Sequence, residues 1–262
     1  DPIATGILPV ALGEATKTIP YVMDATKDYW FDLRWGEART TDDIEGDVTE
    51  TSDLRPEQAE IEAALGAFLG ELVQVPPQFS AVKIDGQRAY DLARDGETFE
   101  IKSRVVNVER FDLAEVVDRD TARFRVRSGK GTYMRSLARD LALALGTVGH
   151  VSGLRRLRVG PFDENMAISL DSLKAMTHSP AAFEHLMPVE TALDDIPALD
   201  LEEAEANMLR RGQAVPVFRA ADRERLGGLR EGDVLYTVHD GLPVAISRIK
   251  GGCVWPIRVL NL

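Results

Sequence analysis

The stretch from Ala122 to Gly146 restricts the possible folds more than any other part of this chain. Its first seven residues, ARFRVRS, alternate apolar and basic side chains, which is typical of a strand with one buried face. A glycine-punctuated turn follows. The apolar stripe from Met134 to Leu145 then predicts an amphipathic helix that Thr132 caps and Gly146 ends. Strand, turn and helix in this order indicate a fold that combines both kinds of element.

Other segments predict further strands and helices. The residues Tyr29–Trp35, YWFDLRW, alternate as a strand with Tyr29 on the apolar side, and the acidic stretch TTDDIEGDVTETSD after them predicts a loop with a short hairpin. An apolar stripe between Pro56 and Leu72 predicts one helix, and FSAVKIDGQRAYDLARDG predicts a short strand, a turn and a short helix. Residues Arg104–Val117 alternate weakly, as a strand would.

An irregular acidic segment, Pro180–Pro197, predicts a boundary between two domains. The predicted fold class is α/β of the α+β type: a mixed, largely antiparallel central sheet flanked by helices in a domain of residues 1–190, then a small β-rich module of residues 197–262. That module is predicted to contain a helix and four strands, at Leu201–Arg211, Gln213–Phe218, Asp233–His239, Pro243–Ile249 and Val254–Val259.

The composition indicates a soluble protein of the reducing cytoplasm. The chain has 44% hydrophobic residues and no apolar run of the ~20 residues that a membrane helix needs. The single cysteine, Cys253, excludes an internal disulfide, and the four histidines have no zinc-binding spacing. The first apolar stretch is short, is broken by Pro9 and lacks a preceding basic region, so it does not resemble a signal peptide.

Charge is distributed unevenly along the chain. The formal net charge is −12, which by itself argues against a nucleic-acid partner. Between Arg123 and Arg158, however, nine basic residues and the single acid Asp140 give a local balance of +8, which leaves −20 for the remainder. This segment predicts a binding face for an anionic partner, and the alternative is an ordinary solvated face.

Common nucleotide-binding and hydrolase motifs are missing. The GKGT string lacks the residues of a Walker loop, since position 124 is Phe and position 131 is Gly, and a dinucleotide fingerprint fails at Met134. There is no G-x-S-x-G and no Cys-His arrangement. Chemistry carried out by a carboxylate side chain remains as the main possibility for catalysis.

Several ordered motifs resemble those of one enzyme family. The opening string DPIATGILPVALGEATK resembles the continuation of the active-site motif G-T-L-D-P-x-A-T-G-x-L-P of the TruB family, the bacterial tRNA pseudouridine-55 synthases. Further matches follow in the family's order: KDY at 27–29, QVPPQFSAVK at 74–83, GQRAYDLARDG at 86–96, SGKGTYMR at 128–135 and GHVSGLRRL at 149–157. Together they span nearly all of residues 1–160.

Two departures accompany the resemblance. The family's residues before the active-site Asp, including a glycine-histidine pair, are absent, so we expect that residues precede Asp1 in the native protein. The family's polar loop usually reads T-D-T-x-D, whereas residues 39–43 here read RTTDD.

The resemblance implies the isomerisation of uridine to pseudouridine at position 55 in the T-loop of tRNA, on a base flipped out of the stack. It requires no cofactor and no metal. Asp1 is then the nucleophile, Arg135 its cationic partner, and Tyr29 the ring that stacks on the base and handles a proton. The implied substrate-binding residues are Tyr133, Leu154 and Asp43, with phosphate contacts at Lys17, Lys83, Lys130, Arg155 and Arg156.

The implied partner is the T-arm stem-loop of tRNA, and the protein is expected to act as a monomer without an obligatory protein partner and without a membrane. Two alternatives stay open at this point. The chain could be an RNA-binding or RNA-folding protein without catalysis, or a pseudouridine synthase subunit that depends on a guide RNA. An RNA-binding protein without catalysis would have no use for an acid, a stacking tyrosine and an arginine together.

Overall fold

The structure, a computed structural model, describes residues 1–177, 179–217 and 220–262. Phe218, the end of one predicted strand, and His178 lie outside the described residues. The chain forms two compact units, one of Asp1–Leu8 and Asp24–Ala167, the other of Pro9–Met23 and Ile168–Leu262. The division into domains of residues 1–190 and 197–262 stays a prediction.

Helices and strands are interspersed along the described residues. The helices are α1 (Ile19–Asp24), α2 (Gln58–Leu65), α3 (Ala89–Arg94), α4 (Met134–Ala144), α5 (Leu170–Ala175), α6 (Glu203–Arg210) and α7 (Ala220–Arg225). The strands are β1 (Ala4–Gly6), β2 (Lys27–Trp35), β3 (Glu37–Arg39), β4 (Val48–Thr51), β5 (Gly70–Gln74), β6 (Lys83–Ile84), β7 (Gln87–Arg88), β8 (Arg104–Asp118), β9 (Thr121–Ser128), β10 (Gly149–Val159), β11 (Phe162–Asp163), β12 (Ala198–Asp200), β13 (Val215–Pro216), β14 (Val234–His239), β15 (Leu242–Lys250) and β16 (Cys253–Val259). Short 3-10 helices lie at Gly13–Thr18, Gly66–Phe68, Glu164–Met166, Pro180–His185 and Val189–Leu193.

A seven-stranded sheet forms the centre of the first unit. Its strand order is β1-β10-β2-β9-β8-β5, and β11 also pairs with β10. The pairing of β1 with β10 is parallel, and every other pairing in this sheet is antiparallel. The sheet is therefore mixed and largely antiparallel, as the sequence predicts.

One face of this sheet packs against α4 and forms the core. Phe31 of β2 lies directly opposite Phe124 of β9, both are fully buried, and their rings stack with centroids 5.3 Å apart. Leu137 and Leu141 of α4 belong to the same buried cluster. The period-two pattern of the strands and the helical stripe thus meet in one apolar layer.

Ion pairs cover the opposite face of the sheet. The guanidinium of Arg123 donates to Asp32 at 2.7 and 3.0 Å, and that of Arg127 donates to Asp28 at 2.6 and 2.8 Å. Arg123 also stacks on Trp30, with its guanidinium carbon 4.6 Å from the ring centroid. Bidentate pairs between neighbouring strands explain why arginine alternates with apolar residues in β9.

The helix predicted between Pro56 and Leu72 is only partly correct. α2 begins at Gln58 after a capping box made by Glu57 and Glu60, but it ends at Leu65. Residues from Gly70 onward form β5, which pairs with β8. Gly70 has φ of +80°, which no residue of a right-handed helix adopts, so the chain turns there and its next residues bond across strands.

The start of α4 also differs in detail from the prediction. Tyr133, not Thr132, occupies the position before the first helical residue, and it makes no side-chain capping bond. The Thr132 hydroxyl instead donates to the Gly129 carbonyl at 3.2 Å. The side-chain oxygen of Gln74 accepts from the Tyr133 amide at 2.8 Å, and its amide group donates to the Tyr133 carbonyl at 3.2 Å. A side chain from β5 therefore anchors the beginning of this helix.

The second unit contains a five-stranded sheet with the order β12-β14-β15-β16-β13. Leu209 of α6 packs with Leu235, Val244 and Val254 of the sheet in a separate buried cluster. This arrangement confirms the predicted β-rich C-terminal module. Within the described residues, no helix has both the length and the apolar character needed to cross a membrane.

Candidate active site

A buried guanidinium lies between two carboxylates at the beginning of α4. Arg135 pairs through Nη2 with the carboxylate of Asp1 and through Nη1, at 3.3 Å, with that of Asp43. The side chains of Arg135 and Asp43 are 5% and 2% exposed, whereas that of Asp1 is 21% exposed. Of these two carboxylates, that of Asp1 is the more accessible to a molecule outside.

The edge strand β1 positions Asp1. Its residue Ala4 pairs with Leu154 of β10, and the Ala4 amide donates to the Asp1 carbonyl at 3.1 Å, so that the chain turns back immediately after Asp1. The Ile7 amide donates to the carbonyl of Arg156 at 2.8 Å and extends this pairing. Main-chain hydrogen bonds therefore hold the residue that carries the carboxylate.

Backbone carbonyls from two loops orient Arg135. Nη1 donates to the Thr41 carbonyl at 2.8 Å, and Nη2 donates to the Phe79 carbonyl at 2.9 Å. Burial lowers the pKa of Arg135, and the negative charges of Asp43 and then Asp42 act against this shift. An arginine side chain stays protonated in proteins, so Arg135 supplies a fixed positive charge at the Asp1 carboxylate.

One carboxylate oxygen of Asp43 is bonded within its own loop, and the other faces Arg135. Its Oδ1 accepts from the Thr41 hydroxyl at 2.6 Å and from the Glu45 amide at 3.0 Å. The backbone around it is joined to β10, since the Ile44 amide donates to the Val151 carbonyl at 3.1 Å. This carboxylate is therefore buried against Arg135 and fixed by bonds on both of its oxygens.

Tyr29 and Leu154 lie on the core face of the sheet, which faces α4. Leu154 is directly opposite Phe31, and Arg156 is directly opposite Tyr29, so all four side chains share one face. Leu154 is buried, whereas Tyr29 is half-buried and packs against the edge of the core. This face therefore places an aromatic ring, an apolar side chain and a cation on the two strands next to β1, the strand that follows Asp1.

The remaining predicted residues are distributed over both units. Tyr133 precedes α4, and its ring lies 5.6 Å from the guanidinium of Arg104. Lys83 is exposed on β6. Lys130 pairs with Asp24 at 2.7 Å, and Arg155 pairs with Glu164 at 2.6 Å. Lys17 belongs to the second unit, where it bonds to Glu14 at 2.7 Å and to the Val259 carbonyl at 2.8 Å.

The concentration of basic residues between 123 and 158 does not produce an equally basic surface. Six of its nine cationic side chains pair with carboxylates, and each of the six has a partner that lies outside the segment. Among the described residues, only Arg125, Arg156 and Arg158 of this segment have no carboxylate partner. The net charge counted along the sequence overestimates the positive charge of this surface, because the acids that neutralise it come from distant positions in the chain.

No metal site accompanies these residues. In the part of the chain that the structure describes, no three His, Cys, Asp or Glu side chains are grouped so that they could hold a metal ion. The polar groups at the candidate site are carboxylates already bonded to a guanidinium or to hydroxyl and amide groups.

Comparison with known proteins agrees with the motifs. Residues 1–134 match the family model described as "TruB family pseudouridylate synthase (N terminal domain)", which is more than half of the chain. The chain belongs to the TruB family. Residues 135–194 match a second family model, "tRNA pseudouridylate synthase B C-terminal domain".

Relatives of this family match the chain over its full length. A tRNA pseudouridine synthase B of Rhodospirillum rubrum is 53% identical over 100% of this chain and 85% of its own length. The protein of the same name from Gluconacetobacter diazotrophicus is 58% identical over 99% of the chain and 85% of its length. A solved structure titled "Crystal Structure of a Cbf5-Nop10-Gar1 Complex" contains a chain with a TM-score of 0.72 and 26% identity, over 99% of this chain and 74% of that one.

The motifs did not reveal how Arg135 is held. Two of its partners are the backbone carbonyls of Thr41 and Phe79, and carbonyls carry no side-chain signature in a sequence. Gln74 lies within one of the motifs but received no role, although it anchors Tyr133. Gln74 and Phe79 lie inside the motif of residues 74–83, which is the one sequence signal for them, whereas Thr41 lies in the polar loop that departs from the family pattern.

We predict that Gly6→Ala lowers activity by about 100-fold, because misplacing a reacting group by about 1 Å costs this much. Gly6 has φ of +93°, and a Cβ there would lie 2.1 Å from the Arg156 carbonyl oxygen. The clash would separate β1 from β10 and displace Asp1, while the buried core remains intact. The measurement is the rate of product formation together with a thermal unfolding curve.

Gly146→Ala is the matched control for this substitution. Gly146 has φ of +74°, but a Cβ there meets no atom within 4 Å, so that variant carries the backbone strain without the clash. Equal activity of the two variants would show that the pairing of β1 does not position Asp1.

Proposed function

We propose that this protein isomerises uridine to pseudouridine at position 55 in the T-loop of tRNA, with Asp1 as the nucleophile. The observation that carries the proposal is the partly exposed Asp1 carboxylate held against the buried guanidinium of Arg135. An opposite charge in direct contact with a carboxyl group favours its ionised form, which is the form that can attack.

The choice of Asp1 over Asp43 follows from accessibility. Both carboxylates pair with the same guanidinium, but Asp43 is almost completely buried and already accepts two other hydrogen bonds. A nucleophile must reach the substrate, so the partly exposed Asp1 carries out the attack and Asp43 keeps Arg135 in place. This assigns Asp43 a supporting role, whereas the sequence motif alone implied contact with the substrate.

The reaction needs no group besides those of the chain and the nucleotide. The bond between N1 of uracil and C1′ of the ribose breaks, a bond between C5 and C1′ forms, C5 loses its proton and N1 gains one. Nothing is oxidised or reduced. A carboxylate oxygen suits attack at C1′ and attack at C6 of the ring equally, since each forms one C–O bond that later breaks.

The base has to be held outside its RNA loop while it turns. Tyr29 provides a ring for stacking, which contributes about 1–3 kcal/mol per base in other proteins. Leu154 lines the apolar side of the space on the same sheet face, and Tyr133 helps to position the nucleotide. Lys83 and Arg156 have no carboxylate partner among the described residues, so they are the most available of the predicted phosphate contacts.

The proposed substrate element is the T-arm stem-loop, and the protein acts on it as a monomer in the cytoplasm, without a protein partner or cofactor. Two relatives at 53% and 58% identity carry the name tRNA pseudouridine synthase B, which supports tRNA as the substrate class. The solved Cbf5 structure was obtained as a complex with other proteins, but its identity to this chain is only 26%.

The test uses the purified protein and a bare tRNA transcript labelled with tritium at C5 of uridine. We expect release of tritium equal to one uridine per tRNA, because the new bond forms at C5 and displaces its proton. A transcript with cytidine at position 55 is the control and should release none.

The alternatives predict different results from the same assay. Tight binding of the transcript without tritium release would identify an RNA-binding or RNA-folding protein. Release that requires added protein and guide RNA would identify a guide-dependent subunit.

A further inference from the structure

A second arginine of α4 holds the same two loops that hold Arg135. Arg139 follows Arg135 by one helical turn, so both side chains lie on one face of the helix. Its Nη1 donates to the carboxylate of Asp42 at 2.8 Å, and its Nη2 donates to the Val75 carbonyl at 3.0 Å. The Ser136 hydroxyl donates to the same carbonyl at 2.8 Å.

Asp42 sits between the two residues that contact Arg135 from this loop. Thr41 offers its carbonyl and Asp43 its carboxylate, so the backbone conformation at Asp42 sets the direction of both groups. That conformation is left-handed, with φ of 58°, which is uncommon for a residue other than glycine. The Asp42 carbonyl also accepts from the Val151 amide at 3.0 Å.

The side chain of Asp42 depends on Arg139 for its charge. It is 16% exposed, and burial raises the pKa of Asp42, while the charge and hydrogen bond of Arg139 act against this shift. Without Arg139, a buried carboxylate would lack its main cationic partner, and the loop would have to rearrange to reach solvent. Such a rearrangement would turn Thr41 and Asp43 away from Arg135.

We propose that Arg139 and Asp42 form a positioning pair, which holds the loop of residues 40–46 so that Arg135 stays fixed against the Asp1 carboxylate. The inference rests on the proposed function of Asp1. The positioning pair acts through Arg135 and not through the RNA, so its loss reduces the rate of the reaction and leaves the affinity for tRNA intact.

The decisive variant is Arg139→Met, which keeps an unbranched apolar stem and removes the guanidinium. We expect the single-turnover rate of pseudouridine formation to fall about 100-fold, the usual effect of a small displacement in an active site. The dissociation constant for the tRNA transcript should change less than about twofold, since a group that acts only on the reacting geometry does not alter substrate binding.

Arg55→Met is the matched control. The Arg55 side chain is 24% exposed, compared with 26% for Arg139, and it likewise pairs with a carboxylate, Asp120, and donates to a backbone carbonyl, that of Ser52. Because the Asp120 side chain is 45% exposed, Arg55→Met removes an ion pair and a carbonyl contact without leaving a buried charge, and it should leave the rate unchanged. Equal losses of rate in both variants, or a loss of tRNA affinity in Arg139→Met, would overturn the inference.

Asp42→Asn provides a second test of the positioning pair. Asn tolerates the left-handed conformation and removes the buried charge. The double variant Arg139→Met/Asp42→Asn should therefore be faster than Arg139→Met alone, because no unpaired carboxylate remains. If the rate losses of the two single variants simply multiply in the double variant, the two residues act independently and do not form a pair.

Amide hydrogen exchange separates this inference from the proposed function. The amides of Ile44 and Val151 should exchange faster in Arg139→Met than in the unchanged protein or in Arg55→Met, since both take part in the bonds between the loop and β10. Unchanged exchange and an unchanged rate in an active protein would overturn the positioning pair. If the unchanged protein is inactive but the two amides still exchange faster in Arg139→Met, the role of Asp1 is overturned and the positioning pair is not.

Discussion

Asp1→Asn is expected to abolish pseudouridine formation while tRNA binding is retained. The amide keeps the shape of the side chain and can still bond to a neighbour, but it is a very poor nucleophile. Loss of a nucleophile lowers the rate of other covalent enzymes by about 10⁴-fold or more. The measurement combines tritium release under single-turnover conditions with the dissociation constant of the transcript.

Asp120→Asn is the control for this result. It breaks an ion pair with Arg55 in the same unit, so it reproduces the loss of one charge without touching the site. The control should release tritium at the rate of the unchanged protein. Measurable turnover by Asp1→Asn would show that another group attacks the nucleotide.

Arg135→Met is expected to lower both the reaction rate and the stability of the fold. Removing one donor from a site that stabilises a developing charge costs about 10²–10³-fold in rate, and Arg135 also holds the Asp1 carboxylate in place. Its loss leaves the carboxylate of Asp43 buried without a cation, and breaking a buried pair in this way costs about 3–5 kcal/mol. Urea unfolding gives the loss of stability, and tritium release gives the loss of rate.

Asp43→Asn in the same background separates the two effects of Arg135→Met. Because the double variant contains no unpaired buried carboxylate, it should recover much of the free energy of unfolding but none of the activity. Arg135→Lys keeps the charge and should fold better than Arg135→Met, though it cannot reach Thr41, Phe79 and Asp1 together. An Arg135→Met protein as stable as the unchanged one would contradict this account of the buried pair.

Local structure followed from the sequence where one periodic pattern covered a whole element. The alternation in β2 and β9 and the apolar stripe of α4 predicted both the elements and their buried faces. The prediction was wrong where two elements shared an apolar pattern: residues after Gly70 continue the spacing of α2, yet they pair with β8. A long-range strand pairing decided that segment, and no local propensity records it.

The site was partly visible in the sequence. The ordered motifs pointed to Asp1, Arg135 and Asp43 together, and the structure brings these three into contact. The carbonyls of Thr41 and Phe79 and the contacts of Gln74 could not be predicted, because they depend on how two distant loops meet the beginning of α4. The positioning pair of Arg139 and Asp42 was hidden for the same reason, since 97 residues separate its members.

The sequence by itself determined the alternating faces of the strands, the apolar face of the main helix and the membership of the family. These features depend on the fixed periods of strand and helix and on the order of short motifs. Only the tertiary structure decided which charges meet, which carboxylate is accessible and how much of the basic segment is neutralised. Electrostatic energy depends on distance and burial in space, and neither quantity can be read from separation along the chain.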